Sequence, residues 1–140
     1  MKTASYLLIT VLLVSPLGCS GKKNLVQWTS LEQTLIAQQD SQKPVLLYFY
    51  SNTSLYCRLM EVNTFVDAEV ASRMNMISIP VRLNIKDRSA GEIPSASHLA
   101  DAFHITTVPA MVAVDSNHRM IDIATGFMTV KRTLSFLKKV

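Results

Sequence analysis

The residues Val45–Tyr50 read Val-Leu-Leu-Tyr-Phe-Tyr, an apolar and aromatic run with no polar interruption. A run this short, without alternation, suits a strand covered on both faces, as in a sheet with parallel pairing. Such a strand needs neighbours at its edges and helices above and below it. The rest of the chain offers both. Trp28 to Asp40 reads as a helix, with Leu31, Leu35 and Ile36 on one face and Thr29 or Ser30 as its cap. After the polar turn Ser51-Asn52-Thr53-Ser54, a long helical pattern places Leu55, Leu59, Val62 and Val66 on one face. Asp67-Ala68-Glu69 breaks or restarts that pattern, and Val70 and Met74 continue its apolar side. Ile77, Ile79, Val81, Leu83 and Ile85 then alternate with Ser78, Pro80, Arg82 and Asn84, a strand signal. Pro80 lacks the N–H a ladder uses, so the paired strand is expected from Val81.

Lys86 to Pro94 reads as a polar loop containing Gly91, and Ser95 to Phe103 as a short helix. Val108-Pro109 introduces a strand, Ala110 to Val114. A turn at Asp115–His118 leads to another, Met120 to Ala124, and after Gly126 the last helix runs from Val130 to Lys139. Strand–helix–strand units imply parallel crossovers, and the short final turn implies an antiparallel pair. The expected class is α/β, a three-layer sandwich with a mixed sheet between helices.

The N-terminal residues belong to a different pattern. Lys2 precedes the apolar run Tyr6–Val14, which is short for a membrane span, and small residues follow. This is the form of a secretory signal. Gly18-Cys19-Ser20 resembles the lipobox of bacterial lipoproteins, although Pro16 stands where that pattern prefers Leu. The resemblance implies lipid on Cys19, a membrane anchor, and a place on the periplasmic side of a bacterial envelope. With Ser20 rather than Asp after the cysteine, the outer membrane is favoured in a Gram-negative source. The expected organisation is a signal over 1–18, a tether over 19–25 and one domain over 26–140. Without Lys2 the balance is 13 basic against 10 acidic residues, +3. The cations are scattered apart from Lys22-Lys23 and the last helix, where Lys131, Arg132, Lys138 and Lys139 suit a solvated face, so nucleic acid is not an expected partner. The chain has two cysteines. With Cys19 lipidated, Cys57 has no partner within its own chain.

The order of elements and the residues along it together resemble the thioredoxin superfamily, over about Val26 to Val140. The residues from Val45 to Tyr50, then Ser54-Leu55-Tyr56-Cys57-Arg58, then Glu61 and Thr64-Phe65, are similar to the C-terminal domains of bacterial transmembrane thiol-disulfide interchange proteins. Those domains carry Cys-x-x-Cys at a helix start. Thr107-Val108-Pro109 resembles the superfamily's cis-proline loop, and Gly126-Phe127-Met128 its glycine before the last helix. The resemblance implies thiol-disulfide chemistry, a cis bond before Pro109, and a peptide site that includes Val108, Pro109 and Tyr56.

Three positions depart from that pattern. The exposed nucleophilic cysteine falls on Ser54, the buried carboxylate on Tyr48, and the Trp before the motif on Thr53. A serine hydroxyl is too weak an acid to replace a thiolate unaided. Closing a disulfide takes two sulfurs, so a self-sufficient oxidoreductase is not expected. Cys57, in the first turn of a helix, is either a small buried hydrophobe behind the N-cap Ser54 or a lone thiol favoured by the helix terminus.

Two functions stay open. One is a module that binds extended segments of envelope proteins by strand addition at Pro109, with a thiol-disulfide partner. The other is a monothiol redox protein that forms mixed disulfides through Cys57. A copper chaperone is a third, weaker candidate, because the Cys-x-x-x-Cys pattern of such chaperones is missing. His98 and His104 do not share a helix face, and His118 lies in a turn. No metal and no cofactor is expected. Met60, Met74, Met111 and Met120 read as core filler, and Glu61 as a surface or paired carboxylate.

Overall fold

The computed structural model describes residues 24–87 and 95–140. The signal, Cys19, most of the tether and the part of the polar loop from residue 88 to 94 lie outside the described residues. The elements run α1 (Leu31–Ser41), β1 (Val45–Tyr50), α2 (Leu55–Asn63), α3 (Ala68–Ile77), β2 (Ile79–Asn84), α4 (Ala96–Ala102), β3 (Ala110–Val114), β4 (Met120–Thr125) and α5 (Val130–Leu137). Among the described residues no helix is long and apolar enough to cross a membrane.

The four strands form one mixed sheet in the order β2-β1-β3-β4. β1 pairs parallel with β2, Val45 opposite Ile79 through Tyr50 opposite Asn84, and antiparallel with β3, Phe49 opposite Ala110. β3 and β4 are antiparallel, with an irregularity at Ala113/Val114. The unbroken apolar run of β1 is explained by its central place: successive side chains enter opposite cores. Leu46 and Tyr48 join Met60, Phe65, Val70, Met74, Phe136 and Leu137 under α2, α3 and α5. Val45, Leu47 and Phe49 join Val81, Leu83, Ala96, Ala100 and Val112 on the other face, with Leu31 of α1 against them.

Five expectations are corrected. The first helix starts at Leu31, because Ser30 takes an extended conformation and its side chain accepts the Gln33 N–H. Trp28 stays outside the helix and packs on Tyr48 and Phe65, at 5.7 and 5.2 Å between ring centroids. Ile36 is exposed, and among the described side chains of α1 Thr34 and Gln38 are buried.

The paired part of β2 starts at Ile79 rather than Val81. Ile79 and Ile85 donate their N–H groups to Pro44 and Tyr50, so odd-numbered residues face β1. Pro80 therefore turns its nitrogen to the outer edge, where no ladder bond is lost, and its carbonyl accepts the Thr29 N–H at 2.8 Å. Met60, Met74 and Met111 are fully buried, but Met120 is 52% exposed because it opens an edge strand. Finally, the row Leu55, Leu59 and Val62 is not a core face. Leu55 and Val62 stand exposed, while α2 buries Cys57 and Met60.

Candidate functional site

The C-terminal end of β1 and the N-terminal end of β3 are neighbours in the sheet, and the site is built where they meet. From β1 the chain makes one turn and enters α2. Ser54 is extended and its Oγ accepts the Cys57 N–H at 3.3 Å, one of the N–H groups a helix start leaves without a partner. Ser51 Oγ accepts the Thr53 N–H and lies 3.0 Å from Thr53 Oγ1, which also receives the Lys86 ammonium at 2.9 Å. This polar turn holds Ser54 and Thr53 at the positions that the resemblance assigns to a cysteine and a tryptophan.

Cys57 carries a free thiol and is 1% exposed. Below it stands Tyr48, fully buried, whose hydroxyl donates to the Cys57 carbonyl at 3.4 Å. Burial pushes the Tyr48 phenol far above its usual range. The neighbouring Cys57 and Glu61 add to the shift and Arg82 opposes it. Tyr48 is thus a neutral donor at any ordinary pH and cannot take up a proton as the carboxylate that the resemblance places at this position could. It centres an aromatic group, stacked on Tyr50 at 5.7 Å and edge-on to Phe65 at 4.8 Å.

Beside this group lies a pair that the sequence reading left half-seen. Arg82 stands opposite Tyr48 in the β1–β2 register, so its side chain rises on the same face of the sheet. It forms a salt bridge with Glu61 and places its guanidinium carbon 4.3 Å from the centre of the Tyr50 ring. Glu61 is thereby the paired carboxylate expected. Arg82 was visible only as a polar member of an alternating strand. A cation at a position facing α2 was the available signal, and the register was needed to use it.

The second wall comes from the loop before β3. The Val108–Pro109 peptide bond is cis. Pro109 is buried and its carbonyl accepts the Gly126 N–H at 2.8 Å, while Gly126 takes φ +81°, a conformation glycine adopts without strain. Among the described residues, Thr106, Thr107 and Val108 make no backbone hydrogen bond to another residue, so their N–H and C=O groups are available to a ligand. Tyr56 is 60% exposed at the start of α2. The same end of the sheet thus carries Ser54, Tyr56, Cys57, Val108 and Pro109. Thr64 links α2 to the loop before α5, its hydroxyl donating to the Met128 carbonyl at 2.8 Å. Among the described residues no three His, Cys, Asp or Glu side chains are grouped as metal ligands. His98, His104 and His118 are each exposed.

A family model described as a thioredoxin-like domain matches residues 31–140. The chain is 27% identical over 119 residues to the thiol:disulfide interchange protein DsbD of Haemophilus ducreyi. That match covers 84% of this chain but only 20% of the length of that relative. Among solved structures, the oxidised DsbD C-terminal domain of Neisseria meningitidis is similar at TM-score 0.64 and 17% identity, covering 77% of this chain and 90% of that one. A protein described as DsbH oxidoreductase is similar at TM-score 0.66 and 16% identity, over 97% of this chain and 91% of that one. A thioredoxin from Thermus thermophilus reaches 0.69 at 17% identity, covering 81% and 85%. At these identities the structural likeness establishes a shared fold.

Proposed function

The chain belongs to the thioredoxin-like domain family, and from that footing we propose that it is an exported, single-cysteine member of a thiol-disulfide pathway that holds extended segments of envelope proteins. The observation that carries the reading is the pairing of a one-sulfur helix start with an unoccupied backbone loop. Ser54 caps the Cys57 N–H and supplies no second thiol, while Thr106–Val108 keep their backbone groups unbonded before the cis bond to Pro109. An extended peptide can add to such a loop by main-chain hydrogen bonds, with Tyr56 as an apolar contact. That mode of binding consumes no sulfur. The burial of Cys57 favours holding over reaction, since a thiol must be reached to be attacked.

The same reading includes export and lipid attachment at Cys19, supported by the charge, apolar run and small residues that precede it. A monothiol protein acting through mixed disulfides at Cys57 is the competing function, and it requires that buried sulfur to become accessible.

One experiment separates the two. The full-length chain, its Cys57→Ser variant and its Thr107→Pro variant are titrated with a fluorescent, cysteine-free extended peptide. Cys57→Ser is expected to bind with unchanged affinity, and Thr107→Pro, which removes a backbone donor, to bind about tenfold more weakly. In parallel, mass spectrometry after alkylation should find lipid on Cys19 and a slowly modified Cys57. Partner proteins trapped on non-reducing gels, and lost in Cys57→Ser, would replace the holding function with the monothiol one.

A further inference from the structure

On α2, the positions 55, 58, 59 and 62 recur at the three- and four-residue spacing that puts side chains on one face of a helix. The opposite face holds Cys57 and Met60 and continues to Thr64 at the C-cap, all three buried. The outward face is thus the more apolar of the two. Leu55 is 60% and Val62 56% exposed, Leu59 is half-buried between them, and Tyr56 adds a ring that is 60% exposed at the end nearest the Pro109 loop. Arg58 stands within this row. Its guanidinium has no ion-pair or hydrogen-bond partner among the described residues. Glu61, the acidic residue of α2, is already held by Arg82.

We propose that this outward row is a docking strip for an amphipathic helix of a partner protein, one that carries apolar side chains at i, i+4 and i+7 and a carboxylate beside them. Leu55, Leu59 and Val62 form a ridge of the kind that packs into the groove of a facing helix. Burying several aliphatic side chains supplies the attraction, at roughly 25 cal/mol per Å² of apolar surface removed from water. Arg58, unpaired in the middle of the row, selects the sign of the partner's charge and sets its register. The strip adjoins the peptide site at Tyr56, so one partner can engage both, its helix on α2 and its extended segment on the Pro109 loop. The inference rests on the holding function, but its row Leu55, Arg58, Leu59 and Val62 consists of residues that function does not need.

The test uses the full-length chain and two fluorescein-labelled amphipathic helical peptides of about four turns. They carry the same leucine row, flanked by Glu in one and by Lys in the other. The acidic peptide is expected to bind and the basic one to bind at least about tenfold more weakly. Leu55→Glu/Val62→Glu, at two exposed positions, should weaken the acidic peptide by about tenfold or more. Arg58→Glu should invert the preference between the two peptides. Equal binding by the double variant, or no binding of either peptide, overturns the proposal. So does a dimer in sedimentation that the double variant abolishes, which would make the strip a contact between copies of this chain. Binding to phosphatidylglycerol vesicles that the double variant loses would assign the strip to a membrane and overturn it as well. Loss of extended-peptide binding in Thr107→Pro, with the helical peptide still bound, separates failure of the loop site from failure of the strip.

Discussion

α2 and α3 are consecutive helices of similar length, both amphipathic in sequence, and the domain uses them in opposite ways. α3 turns its apolar row inward. Val70, Ala71 and Met74 are buried and the helix packs against α5. α2 turns its most apolar row outward and is held by a few specific contacts: the Ser54 cap, the Tyr48 hydroxyl on the Cys57 carbonyl, the Thr64 hydroxyl on Met128, the Glu61–Arg82 pair, and the burial of Cys57 and Met60. Apolar periodicity therefore does not by itself tell which face of a helix is buried: α3 buries its apolar row and α2 leaves its own exposed. The inward row of α2 is given to Cys57, Met60 and Thr64, small, soft or polar side chains that fit the core, and the more apolar row stays on the surface.

The largest test of this contrast compares one side chain from each row. Met74→Ala should cost about 2–5 kcal/mol in urea unfolding, because it leaves a cavity in a fully packed region. Val62→Ala should change stability by less than about 0.5 kcal/mol. A destabilisation of comparable size at Val62 would mean that the outward row is covered within the chain, and the distinction between the helices would fail.

A smaller effect compares the two helix starts. Asp67 accepts the Glu69 and Val70 N–H groups, both at 3.1 Å, and so satisfies two donors at the start of α3. Ser54 satisfies one at the start of α2. Asp67→Ala should cost about 1–2 kcal/mol and Ser54→Ala about 0.5–1 kcal/mol. Amide exchange shows where the loss falls. With apolar packing to retain it, α3 should lose protection only at its first turn in Asp67→Ala. α2 should lose protection along its length in Ser54→Ala, since its cap is one of few attachments.

These helices also show what could be read in advance. β1 was legible to the residue, because an unbroken apolar run with polar turns at both ends has one economical meaning. The cap Ser54, and the first cap as one of Thr29 and Ser30, were legible because a hydroxyl before a helical pattern satisfies donors that every helix start exposes. The cis bond before Pro109 was legible only through the family's order of motifs. The inward face of α2 was not legible. Its members Cys57, Met60 and Thr64 are small, soft or polar, and they compete with a more apolar row on the other side. Trp28 was drawn into the helix for a related reason: its place among Tyr48 and Phe65 depends on contacts distant in sequence. The effect of Pro80 was not legible, because a missing N–H matters only on the side facing a partner strand, and the edge position of β2 is a property of the sheet. Arg82 required both the register and the placement of α2.

The smallest predicted effect lies on the far edge of the sheet and serves as a control for both helices. Asp122 of β4 accepts the Ile123 N–H and the Lys139 ammonium, each at 2.9 Å. The hydrogen bond from Lys139, then the Ile123 N–H and the charge of Lys139, hold its carboxyl below the usual range against some desolvation. A carboxyl with a lower pKa folded than unfolded contributes stability above the unfolded value of about 3.9, and that contribution disappears as pH falls through the folded value. The pair is largely solvated, so the contribution should stay below about 1 kcal/mol and shrink further in high salt. Asp122→Asn keeps an acceptor for the Ile123 N–H and loses the charge. The gap between the native chain and this variant should therefore be constant from neutral pH to about 5 and close as the pH falls below the unfolded value of about 3.9 and through the lower folded one. Because the hydrogen-bond partners of Asp122, Ile123 and Lys139, belong to neither α2 nor α3, amide protection in the two helices should fall by the same amount when this contribution is lost. A loss confined to α2 would show that its few attachments let it open separately from the rest of the domain, and would sharpen the contrast between the helices from one of packing into one of cooperativity.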